Sequence, residues 1–142
     1  VFHGRDVFSP AAAHLSLGIA MEEFGAELKP EECVNAPYGE AKAEGAEINA
    51  EVVRANDFGA VTLNILQPEW DRLGVKLGEK VALEIKGKEI ELPFVKTFGD
   101  VPKGEALIMK DDYSRMELAI NMGSFVEKFP LAAGNRLLVK RK

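Results

Sequence analysis

The sequence predicts an α+β chain: one helix and a loop, then a mostly antiparallel, β-barrel-like domain. Two observations carry this. Apolar residues recur at helical spacing behind Ser9-Pro10, and from Glu47 onward they fall instead into short runs separated by turn residues. With 142 residues, 46% of them hydrophobic, the chain can build one ordinary core.

Ser9-Pro10 reads as a helix opening, with a hydroxyl at the N-cap and proline at the first helical position, where its missing N–H is no loss. Ala12, Leu15, Ile19 and Phe24, widened by Ala11, Ala20 and Met21, predict one buried helix that stops at Gly25. Across 26–45 the pattern dissolves into Pro30, Pro37, Gly39 and mixed charges, which predicts a linker or surface loop. The domain boundary falls inside it, giving domains 1–45 and 46–142. Strands are predicted at 48–54, 61–66, 80–85, 89–95, 106–109, 116–121 and 136–139. Lys86-Gly87-Lys88 reads as a tight hairpin turn, and 68–73 suits a short helix. Many short strands with turns between them favour a compact barrel or sandwich. The lone front helix cannot bury its own stripe and needs the β domain or another partner.

The net charge of −5 and the lack of a cationic run longer than Lys140-Arg141-Lys142 argue against a nucleic-acid partner. Cys33 is the only cysteine, so an internal disulfide and a cysteine-based metal cluster are both excluded, which fits a reducing, cytoplasmic setting. Acidic Glu31 and Glu32 beside it give no reason to expect a reactive thiol. No apolar run reaches membrane-spanning length, so no membrane partner is expected. Val1-Phe2-His3 resembles neither a signal peptide nor a normal translation start, which points to a processed, proteolysed or truncated chain.

Four places offer chemistry. The imidazole of His3, with an ordinary pKa of about 6.5, can move protons at neutral pH, although the residue alone reads first as a structural or surface histidine. Gly4 beside it permits close approach, and Arg5-Asp6 suits a charge pair. Asn56-Asp57-Phe58-Gly59-Ala60, between two strand-like runs, reads as a turn. Phe98, in Thr97-Phe98-Gly99-Asp100-Val101, either plugs the end of a barrel or offers an exposed flat ring. Asp112-Tyr113-Ser114-Arg115-Met116-Glu117-Leu118-Ala119-Ile120-Asn121 reads as a turn and an alternating strand. His14 lies on the predicted helix, where packing or capping accounts for it.

Phe2-His3-Gly4-Arg5-Asp6-Val7-Phe8-Ser9-Pro10, then Asp57-Phe58-Gly59 running on to Asn64-Ile65, then Thr97-Phe98-Gly99-Asp100-Val101, resemble in order and spacing the S-adenosylmethionine hydroxide adenosyltransferases, relatives of fluorinating and chlorinating enzymes. The resemblance runs from the front helix through the β domain. It implies that residues 1–45 are the end of an α/β N-terminal domain plus linker, and that the chain lacks the upstream portion of the same protein. It also implies hydrolysis of S-adenosylmethionine to adenosine and methionine, with that molecule as substrate and neither cofactor nor metal, in a homotrimer with sites at subunit interfaces.

By the same resemblance His3 matches the catalytic histidine of an Asp-Arg-His set whose other members lie upstream of Val1. Phe2 and Gly4 line the pocket around the ribose 5′ carbon, Asp57 lies near the substrate's amino group, Phe58 beside it is counted among the substrate-binding residues, and Phe98 stacks on adenine. Asp112 and Tyr113 approach the methionine carboxylate, and backbone groups of Ile120 and Met122 bind the adenine edge. The fluorinating enzyme carries tyrosine and serine where this chain has His3 and Gly4, which favours water over halide. Two departures bear on substrate choice. Ala60 replaces an asparagine, and Asp112 replaces a serine, so its carboxylate repels a substrate carboxylate unless a cation such as Arg115 intervenes. The alternatives are a noncatalytic adenosine- or S-adenosylmethionine-binding or assembly module, or a halogenating relative. Without the upstream residues, this chain alone is expected to be inactive.

Overall fold

The computed structural model describes residues 2–142. The chain divides into two compact units, Val1–Ala36 and Pro37–Lys142.

The N-terminal unit opens with a π-helical turn, Gly4–Phe8, that runs directly into α1, Ser9–Ser16. Ser9 therefore continues a helical run rather than capping one, and its hydroxyl donates to the Gly4 carbonyl at 2.7 Å. Pro10 does sit in the first turn of α1. The helix predicted to reach Gly25 ends instead at Ser16, because Gly18, at φ 81°, stops it first. The Gly18 N–H donates to Leu15 O at 3.0 Å and the Ile19 N–H to His14 O at 3.2 Å, the two bonds of a Schellman motif. The expectation of a buried helix is also corrected, since no residue of α1 is buried. Its unit supplies only two 3₁₀ turns, Met21–Phe24 and Pro30–Glu32, too little to cover an apolar stripe. The His14 ring packs 6.1 Å from that of Phe24.

The C-terminal unit is a mostly antiparallel sheet curled into a nearly closed barrel. Its strands are β1 (Ala43–Glu44), β2 (Glu47–Ala55), β3 (Val61–Leu66), β4 (Lys80–Ile85), β5 (Lys88–Pro93), β6 (Ala106–Lys110), β7 (Arg115–Ile120) and β8 (Arg136–Arg141). They pair in the order β5-β4-β8-β2-β3-β7-β6, with β1 added on β2. Every strand predicted from the sequence is present, with ends displaced by at most two residues; β1 is additional. The fifth ends at Pro93, which brings no N–H to a ladder. Phe94 then bridges Ile108, and the Val95 N–H reaches Ile108 O at 3.0 Å, so the seam between β5 and β6 is tied at this point.

Two local features set the curvature and register. Strand β2 serves three neighbours: 47–51 pair with β8, 47–48 also with β1, and beyond them 52–55 pair with β3. Its register shifts between Val52 and Arg54, a bulge that bends the strand from one half of the barrel into the other. Strands β4 and β5 meet through Lys86-Gly87, at φ 50° and 78°, the two positive values that a type I′ hairpin turn requires.

Alternation sends Ile48, Val52, Leu63, Ile65, Leu83, Leu118 and Val139 inward to one core. Helix α2 (Gln67–Leu73), one residue longer than predicted, contributes Trp70 and Leu73 to it, with the Trp70 ring 4.8 Å from that of Phe94. Gly74, at φ 75°, ends α2. An unpredicted single turn, α3 (Phe125–Lys128), adds Phe125. Among the described residues no helix is long and apolar enough to cross a membrane.

Candidate functional site

The period of two that buries Val61, Leu63, Met116 and Leu118 turns Thr62, Glu117 and Ala119 to the other face of β3 and β7. A second, smaller apolar cluster covers part of that outer face: Ala60, Val95, Val101, Leu107 and Ala119, with Met109 against it. Beside it opens a cleft of about 550 Å³, lined among others by Asp57, Phe58, Phe98, Ile120 and Met122. Three turns hold these residues.

The first turn is built by Asn56. Its side-chain oxygen accepts the N–H groups of Phe58 and Ala60, both at 3.0 Å, while its backbone N–H donates to Ala60 O at 2.9 Å. Gly59 sits at φ 81°, and a Cβ there would lie 2.1 Å from the Ser124 hydroxyl oxygen, so both conformation and space demand glycine. Its carbonyl accepts the N–H groups of Phe125 and Val126 at 3.0 and 3.2 Å, satisfying donors at the start of α3. Ser124 caps the same turn by accepting the Glu127 N–H at 3.2 Å. With its backbone fixed on both sides, Phe58 projects outward, 85% exposed, and Asp57 beside it is exposed.

The second turn is the 3₁₀ segment Phe98–Asp100. The Asp100 carboxylate accepts the N–H groups of Lys96 and Thr97 at 3.1 and 2.8 Å, which holds the turn shut from below. Phe98 is 43% exposed and lines the cleft, so it is not a core plug.

The third turn follows β7. Asn121 is held on three sides: its N–H reaches Glu105 O at 3.0 Å, its amide reaches Val101 O at 2.8 Å, and its carbonyl accepts the Gly104 N–H at 2.8 Å. Ile120 is buried and accepts the Gly123 N–H at 3.2 Å. Met122 is left at φ 54° with its side chain outward, 77% exposed. Neither its N–H nor its C=O bonds to another group among the described residues. A flat apolar ring, an apolar floor and an unpaired backbone donor and acceptor suit a planar heterocycle, which has faces to stack and an edge to pair.

A neighbouring cleft of about 460 Å³ is lined by Tyr38, Val53, Arg54, Thr62, Asp111, Tyr113 and Arg115. Asp111 shapes its turn by accepting the N–H groups of Tyr113 and Arg115 at 2.9 and 2.8 Å. Tyr113 is exposed here; Asp112 is exposed on the same turn but is not part of the lining. The suggestion that Arg115 offsets the Asp112 charge is corrected by its partner. Its guanidinium grips the Glu40 carboxylate through two bonds of 2.8 Å and lies 5.4 Å from the Tyr38 ring centre. That hydrogen bonding holds the Glu40 carboxyl below its ordinary pKa and Arg115 above its own. Burial, reinforced by Asp111 and Asp112 against the opposing pull of Arg54, pushes the half-buried Glu117 carboxyl up.

Thus five of the sequence-predicted residues, Asp57, Phe58, Phe98, Ile120 and Met122, share one cleft, and Tyr113 lies in the next. Phe2, His3 and Gly4 belong to the N-terminal unit. There the Arg5 side chain pairs with Asp6 at 2.5 Å and covers the Phe2 ring at 5.0 Å, and the Phe2 N–H donates to Asp6 at 3.0 Å. The Arg5 hydrogen bond, helped by that N–H, holds the Asp6 carboxyl below its ordinary pKa. His3 is exposed, with its ring 6.4 Å from that of Phe8, and a Cβ on Gly4 would meet nothing within 4 Å. The sequence reading missed Ser124 and Glu127, although Ser124-Phe125-Val126-Glu127 has the Ser-x-x-Glu spacing of a helix start. It also missed Arg54, which no spacing announces.

Residues 50–138 match the family model described as SAM hydroxide adenosyltransferase C-terminal domain. The chain is 32% identical over 142 residues to the (R)-S-adenosyl-L-methionine hydrolase of Salinispora tropica, covering 97% of this chain and 50% of that protein. It is 36% identical over 133 residues to the hydrolase of the same name from Thermus thermophilus, covering 94% and 46%. To the fluorinase of Nocardia brasiliensis it is 29% identical, covering 98% and 48%. It thus spans about half the length of the curated relatives it matches. Among solved structures, an uncharacterized conserved protein from Thermotoga maritima superposes with a TM-score of 0.75 at 31% identity, covering 99% of this chain and 53% of that one. The cleft-bearing barrel is therefore a C-terminal domain of known type, and the chain belongs to the SAM hydroxide adenosyltransferase family.

Proposed function

We propose that the complete protein hydrolyses S-adenosylmethionine to adenosine and L-methionine. The observation that carries this reading is the meeting of Asp57, Phe58, Phe98 and the unpaired Met122 backbone in one open cleft, on a chain whose relatives are named S-adenosyl-L-methionine hydrolases. Phe98 stacks on adenine, backbone groups at Ile120 and Met122 meet its edge, Phe2 and Gly4 border the ribose, and Asp57 with Phe58 attends the amino-acid end.

Water, or hydroxide, attacks the ribose 5′ carbon in line with the C–S bond. The new C–O bond forms as the C–S bond breaks, its electron pair moves onto the sulfonium, and methionine departs as a neutral thioether. The proton from water passes to His3, the base in this assignment. The sulfonium charge already activates the leaving group, so catalysis consists of positioning, exclusion of bulk water and proton removal. Both histidines of the chain lie in the N-terminal unit and the cleft lies in the C-terminal one. A homotrimer, in which the first domain of one subunit completes the cleft of the next, supplies the missing half of the site. Its location is the cytoplasm.

A second reading, a noncatalytic adenosine-binding module, is favoured by one observation: the stacking ring and open backbone groups occur on a unit that has no histidine. Incubating the complete protein with S-adenosylmethionine, with and without chloride, and separating the products by chromatography decides among the readings. Adenosine and methionine, unaffected by chloride and abolished by His3→Ala, are expected. Adenosine binding without turnover selects the binding module, and a chlorinated nucleoside selects a halogenating relative.

A further inference from the structure

We propose that Arg54 reads the carboxylate of the ligand's amino-acid end, and so determines specificity for an intact amino acid over its carboxylate-free amine. The inference rests on the reading of the neighbouring cleft as an adenosyl site, and extends it to a residue that motif comparison does not single out.

The bulge in β2 aims this side chain. With Val52 paired to Leu63 and Arg54 to Thr62, both Val53 and Arg54 stand opposite one residue of β3, and both line the second cleft. Without the extra residue the alternation would turn one of the two inward. Two guanidinium groups then border this cleft, in different states. That of Arg115 is committed to Glu40 through both arms. That of Arg54 lies 6.0 Å from the centre of the Tyr113 ring and, among the described residues, forms neither an ion pair nor a side-chain hydrogen bond. A ring contact limits where the group goes while leaving its donors free, and a free guanidinium fork matches a carboxylate through two parallel bonds.

Position supports the assignment. Arg54, Thr62 and Glu117 stand in register across β2, β3 and β7. Two residues further along β7 is Ala119, which lines the first cleft with Phe98 and Met122. Two strand residues span about 7 Å, roughly the reach from a ribose 5′ carbon through a thioether-linked chain to its carboxylate. Asp111 lines the same cleft, Asp111 and Asp112 act with Arg54 on the charge of Glu117, and Glu40 is answered by Arg115. A ligand carboxylate arriving here needs a cation in the same cleft, and Arg54 is the one not already paired.

The test compares the complete protein with Arg54→Gln and Arg54→Lys variants, on S-adenosylmethionine and on its decarboxylated aminopropyl analogue. Both KM and kcat are measured, and binding of the two compounds is followed separately by calorimetry. The expected result is a rise in KM and Kd for S-adenosylmethionine of at least about tenfold in Arg54→Gln, with kcat changed by less than about twofold, partial recovery in Arg54→Lys, and no weakening toward the analogue. Equal losses on both compounds, or none on either, overturn the role of Arg54. Discrimination in binding without turnover by the unaltered protein overturns the hydrolytic reading and leaves Arg54 in place. If neither compound binds, both fall.

Discussion

Phe98 owes its exposure to the residue that closes its turn: with the Asp100 carboxylate holding Lys96 and Thr97 from below, the ring has no way into the core. Replacing it should cost the protein little and the ligand much. Phe98→Ala is expected to weaken adenosine binding by about 1–3 kcal/mol, the usual range for a base stacked on an aromatic ring, with a melting temperature close to the parent's. Titration calorimetry with adenosine checks the first part and a thermal melt the second. Glu117 gives a pH-dependent counterpart. Its carboxyl is pushed above the ordinary range, so the folded state holds the proton more tightly than the unfolded chain. Ionisation therefore weakens the fold above the raised folded pKa, and the weakening vanishes as pH falls below the unfolded value. Glu117→Gln should raise the melting temperature at pH 7 and confer no such gain at pH 3. Glu40 has the opposite sign: its stabilising contribution is present above the unfolded pKa and lost as pH falls through the lowered folded one. Its surface exposure keeps that contribution small.

At the scale of elements, the site depends on a glycine-bearing turn locked to a short helix. Gly59→Ala would force a methyl group into Ser124 at a positive φ, and should destabilise the protein by more than about 1 kcal/mol. The double variant Gly59→Ala, Ser124→Gly removes the side-chain clash but keeps the strain, leaves the Ser124 Cα 3.0 Å from the new methyl and loses the cap on the Glu127 N–H, so denaturant titration should show at most partial recovery. Much of this level was legible in the sequence. Strands β3 and β4 occupy the residues predicted for them, because alternation and flanking turn residues bound both ends. The front helix was predicted too long because its apolar stripe continues past Gly18, where backbone geometry rather than periodicity ends it. Strand β1 has two residues and α3 has four, too few for any period to register. Of the cleft-lining residues, Phe98 and Met122 were named through the order of the motifs. Arg54 was not, since a bulge changes which face a residue occupies without changing the sequence pattern.

In the whole molecule the two units differ in what holds them. The described residues up to Ala36 include none that is buried, whereas 37–142 contain both apolar clusters and the entire sheet. A chain of residues 37–142 is therefore expected to unfold in one cooperative transition and retain both clefts, a property that calorimetry and fluorescence measure on one sample. Non-coincident transitions would show that the barrel leans on residues outside it. Under the proposed function the ring-stacking Phe98 belongs to one unit and the proton-accepting His3 to the other, so turnover would require assembly. The most direct test of that account is to run the complete protein on S-adenosylmethionine in water enriched in oxygen-18 and weigh the adenosine formed. One heavy oxygen at the 5′ position is the predicted result. Adenosine without the label, or a 5′-chlorinated nucleoside in its place, would contradict it.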